Sequence, residues 1–218
     1  MDQLHSLRIK HERSPSIQQQ SFSNLFTPYD YFYLSLQLPQ NALSWSAIEK
    51  TQRKIKNNDD VTHQLIYSSR HHGNSWQRFV QSIGQQGATL LVIKTKNDGA
   101  VFGGYTDEPW QLMTDWYGSS LNFLYQLSGH YTPWNMFGVW NATSINDHYQ
   151  YLCWGKKSLP NGLGMGGQFE YSGLWINADF IHGHSRGGPY CSTYQSPRLT
   201  KMDPFEIDEV EGKLKINK

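Results

Sequence analysis

The chain has 218 residues and a formal net charge of +1, which excludes the dense basic stripe that nucleic-acid binding requires. Aromatic residues make up 14% of the sequence and cysteines only two, Cys153 and Cys191. A core rich in Trp, Tyr and Phe is therefore expected, with no disulfide framework and a reducing, cytoplasmic location.

The first residues, MDQLHSLRIKHERS, carry no apolar signal region, and Asp2 in place of glycine removes N-myristoylation. No run reaches the apolar length of a membrane helix. Residues 1–28, rich in Ser and Gln, are predicted to form a polar tail. The folded domain is predicted over 29–212, with a short basic end at 213–218. YDYFYLSLQL reads as an aromatic strand or a short helix. SWSAIEKTQRKIKNN is helix-prone, with Ser44 as a possible N-cap. A clearer helix follows: Trp76, Phe79, Val80 and Ile83 share one face, Ser75 can cap the start and Gly84 can end it.

From Ala88 onward the pattern is β. ATLLVIK, the turn TKNDG and AVFGGY form a hairpin, and NFLYQL, MFGVW, HYQYLCWG, SGLWINADF and PFEIDEVEG follow as short strands. Leu174 and Ile176 alternate with Trp175, so that strand should be covered on both faces. The order of elements predicts an α+β domain: a β-sandwich of two antiparallel sheets flanked by helices. EIDEVEGKLKINK, acidic then basic, reads as a solvated end. Asn141-Ala142-Thr143 matches a glycosylation sequon, read as chance in a chain without a secretory signal.

Four stretches could carry chemistry. Gly164-Met165-Gly166-Gly167 could cradle a phosphate, but a strand-like segment follows where a helix N-terminus is needed, so a packing role is expected. His182-Gly183-His184 could ligate a metal with Cys191, Asp179 or His148, but a polar turn without metal is the favoured reading. Cys191 could be a nucleophile if a histidine stood beside it; a small packed thiol is the commoner case. Asp107 and Glu108, adjacent on a strand, point to opposite faces and are poor partners in acid–base work.

LIYSSRHHGNSWQRF, GATLLVIKTKNDGAVFGGYTDEPW, PNGLGMGGQFEYSGLWINADFIHGHSRGGPYCSTYQSPRL and FEIDEVE together resemble the TLDc domain family in order and spacing. The resemblance covers about residues 45–211 and is nearest to the mTOR-associated branch, rather than to the oxidation-resistance branch. It implies a sandwich flanked by helices, no catalytic set, no cofactor and a regulatory or adaptor role. It also implies protection against oxidative stress and binding to the head and peripheral stalk of the vacuolar proton-pumping ATPase. The family signature falls here on Gly103, Gly104, Trp110, Gly166, Gly167, Gly173, Leu174, Trp175, Gly183, Ser185, Cys191 and Thr193. All are of types that fill a core or permit close backbone approach. Arg186, flanked by glycines, is a candidate partner contact. The chain departs from the branch in lacking the myristoylated start, the extra N-terminal domain and a C-terminal helix, which predicts weaker binding to the ATPase. A monomer without membrane insertion is expected. The competing readings are a redox-active or hydrolytic protein using Cys191 and an aromatic-rich carbohydrate-binding sandwich.

Overall fold

Trp76, Phe79, Val80 and Ile83 share one buried helical face, as their spacing requires. In the computed structural model they belong to helix α2, Trp76–Ile83, which follows strand β1, His63–Ser68, and a single turn of helix, α1, Ser69–His72. The Ser75 hydroxyl accepts from the Arg78 amide at the start of α2, and the Gly84 amide donates to the Val80 carbonyl at its end. The structure describes residue 25 and residues 63–128 and 138–215. The polar tail over 1–24 and 26–28, the start of the domain at 29, YDYFYLSLQL, the Ser44-capped helix, Met136 and Phe137 of MFGVW and the last residues, 216–218, lie outside the described residues.

After α2 the described chain is almost entirely strand. The strands are β2 (Thr89–Thr95), β3 (Val101–Thr106), β4 (Phe123–Ser128), β5 (Gly138–Asn141), β6 (Tyr151–Cys153), β7 (Gly162–Met165), β8 (Leu174–Asn177), β9 (His182–His184) and β10 (Phe205–Lys215). Every pairing between these strands is antiparallel. The order is β5-β4-β3-β2-β10-β9-β8-β7-β6, with β1 also on β10.

The strands form two antiparallel ladders that meet at β10. Its first residues, Phe205 and Glu206, pair with Gly183 and His182 of β9. Its remainder pairs with β2 on one side and β1 on the other. An eleven-residue strand is long enough to leave one ladder and enter the next, so hydrogen bonding runs unbroken from β5 to β6. The flanking helices of the described residues amount to α1 and α2. The fold is thus mostly antiparallel sheet with few helices.

The largest core cluster joins both ladders and α2: Leu91, Ile93, Phe102 and Leu124 meet Leu152, Leu163, Met165, Leu174 and Ile176, with Phe79 and Ile83. Two smaller clusters lie elsewhere. Leu90, Val92, Tyr105, Phe123 and Tyr125 pack with Leu25, and Tyr151, Cys153 and Trp175 pack with Trp116, Leu159 and Phe169. Gly103 shows why the β3 glycine is required. A Cβ there would overlap the Leu91 carbonyl oxygen, which accepts from the Tyr125 hydroxyl at 2.7 Å across the same spot.

The solvated reading of EIDEVEGKLKINK is overturned over β10. Glu209, Glu211 and Lys213 alternate along the strand and are all buried. Lys213 Nζ sits 2.9 Å from Glu211 Oε2, with about 1% of either side chain exposed. A charge at every second residue resembles a wet face, but here that face is covered.

Candidate functional site

The block from Gly166 to Asp203 folds back on itself between β7 and β10. Ser185 ties it together: its hydroxyl donates to the Gly173 carbonyl at 2.7 Å and accepts from the Leu199 amide at 2.9 Å. Thr193 does the same nearby. Its hydroxyl accepts from the Gly167 amide at 2.8 Å and donates to Asn146 Oδ1 at 2.7 Å. Gly166 and Gly167 have φ of +76° and +80°, and side chains there would meet the Tyr194 ring and the Tyr171 carbonyl. No phosphate cradle results, because the residues after Gly167 form a turn and lead into β8.

The other signature positions lie in the packed interior. Gly104, Gly173 and Gly183 lie against Met165, Cys191 and Phe205. Trp110 is buried and its carbonyl receives the Gln85 amide just beyond α2. Leu174 enters the large core cluster while Trp175 enters the cluster on the opposite face, so β8 is covered on both sides.

His182-Gly183-His184 is strand β9 rather than a polar turn. The two rings have separate partners. His182 Nδ1 lies 2.9 Å from Asp179 Oδ2 at the surface. His184 stacks on Trp175 with ring centroids 5.9 Å apart. His148 Nδ1 donates to the Gly167 carbonyl at 2.7 Å. Among the described residues no three His, Cys, Asp or Glu side chains are grouped as metal ligands would be.

Burial pushes His184 down from 6.5 to about 4; the Asp203 carboxylate opposes the shift and Arg186 adds to it. A histidine whose folded pKa is depressed stabilises the fold above its unfolded pKa and loses that contribution as pH falls. Thermal melts between pH 7 and 4 should show stability falling from about 6.5 downward. His184→Phe, which keeps a ring on Trp175 but cannot titrate, should flatten that part of the profile.

Cys191 is fully buried, beneath Gly166 and Gly173, with Ser196 Oγ 3.6 Å from its sulfur. Cys191→Ser should cost about 1–2 kcal/mol for a buried hydroxyl that Ser196 can partly satisfy. Binding to a protein partner should be unchanged, as measured on variant and wild type below their melting temperatures.

One open cleft lies at the surface of the same block. It has a volume of about 480 Å³ and is lined by Tyr171, Arg186, Gly187, Gly188, Tyr190, Arg198 and Asp203. Tyr171 and Tyr190 stack with centroids 5.1 Å apart, yet are 44% and 62% exposed. Tyr190 ends a 3-10 turn, Gly188–Tyr190. Arg186, chosen from sequence as a residue able to reach outward, is instead anchored. It forms an ion pair with Asp203, whose side chain is only 2% exposed, and its Nε donates to the Glu170 carbonyl at 3.2 Å. Gly187 lies against the Pro197 and Arg198 backbone, and the Gly188 amide donates to the Ser196 carbonyl, which holds the Arg198 segment beside the cleft. Tyr171, Tyr190, Arg198 and Asp203 were missed in the sequence. The available signal was an aromatic directly after Gly-Gly-Pro, with arginines twelve residues apart around it.

The sequence matches the TLDc domain over residues 20–211, almost the whole chain. The chain belongs to the TLDc domain family. Among curated TLDc relatives, it is 42% identical over 154 residues to MTOR-associated protein MEAK7 of Xenopus laevis, covering 70% of this chain and 32% of that protein. It is 39% identical over 148 residues to the same protein of Danio rerio, covering 68% and 31%. Nuclear receptor coactivator 7 of Homo sapiens is 30% identical over 148 residues, covering 68% of this chain and 14% of the coactivator. The TLDc chain thus spans about a third or less of the length of these relatives. No helix among the described residues is long and apolar enough to cross a membrane.

Proposed function

We propose that this TLDc domain is a non-enzymatic regulatory domain that works by docking on other proteins, with the vacuolar proton-pumping ATPase as its main partner. The observation that carries this reading is the exposed Tyr171–Tyr190 pair beside Arg186 and Arg198. Tyr and Arg are the side chains that most often dominate binding energy at protein interfaces. The signature residues hold that surface in place: Ser185 and Thr193 bind the loops, and Gly166, Gly167 and Cys191 permit their packing. Relatives named as mTOR-associated support a signalling role, and family resemblance supports the ATPase and oxidative-stress protection. The domain would then act on the cytosolic face of lysosomal or vacuolar membranes, held there by its partner.

An interface with the ATPase head and peripheral stalk should bury on the order of 1,600 Å² in total. Binding of purified chain to purified ATPase, followed by proton-pumping and disassembly assays, tests the proposal. Saturable binding with altered pumping or disassembly is expected; absence of binding at micromolar protein and low salt overturns it.

A further inference from the structure

We propose that the loop joining β6 to β7, with the exposed residues beside it, is a docking surface for an anionic phospholipid bilayer, on which the domain rests without a spanning segment. The inference goes beyond the ATPase reading and stands independently of it.

Antiparallel pairing puts the β6–β7 and β8–β9 connections at one end of their ladder, and the β7–β8 connection, which holds Tyr171, at the other. The surface therefore lies away from the cleft. The Ala178 amide donates to the Asn161 carbonyl at 3.1 Å, so the two connections at this end adjoin. The Met113 amide donates to the Leu152 carbonyl at 2.9 Å, which brings the exposed residues 111–115 to the edge of β6, close to Trp154. Four large apolar side chains, Leu112, Met113, Trp154 and Ile181, stand exposed on these segments. Tryptophan is highly buried on average, and Trp154 is 42% exposed. Clustered exposure of this kind marks a contact surface for a protein or a membrane.

Charge complementarity selects the lipid. Lys156 and Lys157 follow Trp154 on the same loop, both exposed and without an ion-pair partner among the described residues. The carboxylates nearby are turned back into their own turns: Asp115 accepts from the Trp116 amide, and Asp179 accepts from the Ile181 and His182 amides. The lysines are thus the charges that reach outward. Tryptophan and lysine beside aliphatic side chains make up the composition that settles at a bilayer surface. The indole lies at headgroup depth, the aliphatic groups enter the acyl boundary and the ammonium groups meet the lipid anions. Each lysine near an anionic surface favours binding about fivefold. A rigid acidic protein would have to match apolar side chains from three separate segments, whereas a bilayer conforms to them.

The loop is set before contact. Asn161 holds it across its base: its Oδ1 accepts from the Lys156 amide at 3.1 Å and its Nδ2 donates to the Lys156 carbonyl at 2.7 Å. The Tyr151 hydroxyl donates to the Pro160 carbonyl at 3.0 Å. A loop already ordered loses less entropy on docking.

The test sediments the full chain with sucrose-loaded vesicles of phosphatidylcholine, with or without phosphatidylserine. Binding to the serine-lipid vesicles should be at least tenfold tighter than to phosphatidylcholine alone and should weaken as salt is raised. Lys156→Glu with Lys157→Glu should remove that preference, and Trp154→Ala should weaken binding at least fivefold. The melting temperature should not change in either variant, because all three side chains are exposed. Lys201→Glu, an exposed charge outside these loops, should bind as wild type. Sedimentation with neither vesicle, equal binding to both, or undiminished binding by the loop variants would each overturn the inference. Soluble poly-glutamate that binds as tightly as the vesicles at equal charge concentration would also overturn it, by making an acidic protein the occupant.

Discussion

Trp175→Ala is expected to lower the free energy of unfolding by about 3–5 kcal/mol, the usual cost of emptying a large aromatic site. Trp175 is nearly buried, and its Nε1 donates to Asn177 Oδ1 at 2.7 Å. Its ring stacks with Tyr151 at 5.7 Å and His184 at 5.9 Å, and meets Phe169 edge-on at 6.2 Å. Gly162 and Gly164 on the neighbouring strand leave the room it occupies, since a Cβ at either would lie within 3 Å of the ring. Those glycines cannot move inward to refill the space, so the cavity should persist. Denaturant unfolding of variant and wild type measures the difference. A midpoint equal to wild type would remove Trp175 from the core.

The sequence exposed this part of the fold well, because β8 alternates apolar residues on both faces. The α2 helix and the β2–β3 hairpin were equally legible, since each rests on contacts a few residues apart. β10 was not. Its register joins Lys213 to Leu90 and Phe205 to Gly183, and no local pattern encodes pairings so distant. β7 and β9 were obscured because Gly162, Gly164, Gly183 and the two β9 histidines are not strand-forming types. The cleft was hidden for another reason: Tyr171, Tyr190, Arg186 and Arg198 meet only after β8 and β9 have paired and Ser185 has fixed the loop. The family resemblance located the block that forms it, but gave packed positions rather than the exposed ones.

Lys213→Met is the second change with a large expected effect, about 3–5 kcal/mol of destabilisation, because it takes away the buried cation 2.9 Å from the Glu211 carboxylate. Glu209 on the same strand face adds to the cost. Its carboxyl is already pushed up by burial and by the Glu211 charge, and both effects act against a second ionised group there. Removing the pair together should behave differently. Glu211→Leu with Lys213→Met replaces charges by apolar groups and should recover much of the lost stability, less whatever the further interactions of both residues contribute. Thermal and denaturant melts of the two single variants and the double variant form the cycle. Equal destabilisation by the single and double variants would contradict the buried pair as the cause.

The central claim is that this TLDc domain acts by docking the Tyr171–Tyr190–Arg198 surface on the ATPase. Hydrogen–deuterium exchange of the full chain, with and without saturating purified ATPase, tests it most directly. Slowed exchange is expected across residues 168–173 and 185–203, with the interior of β2 and β3 unchanged. Exchange unaltered along the whole chain, or protection only at a surface remote from the cleft, would contradict it.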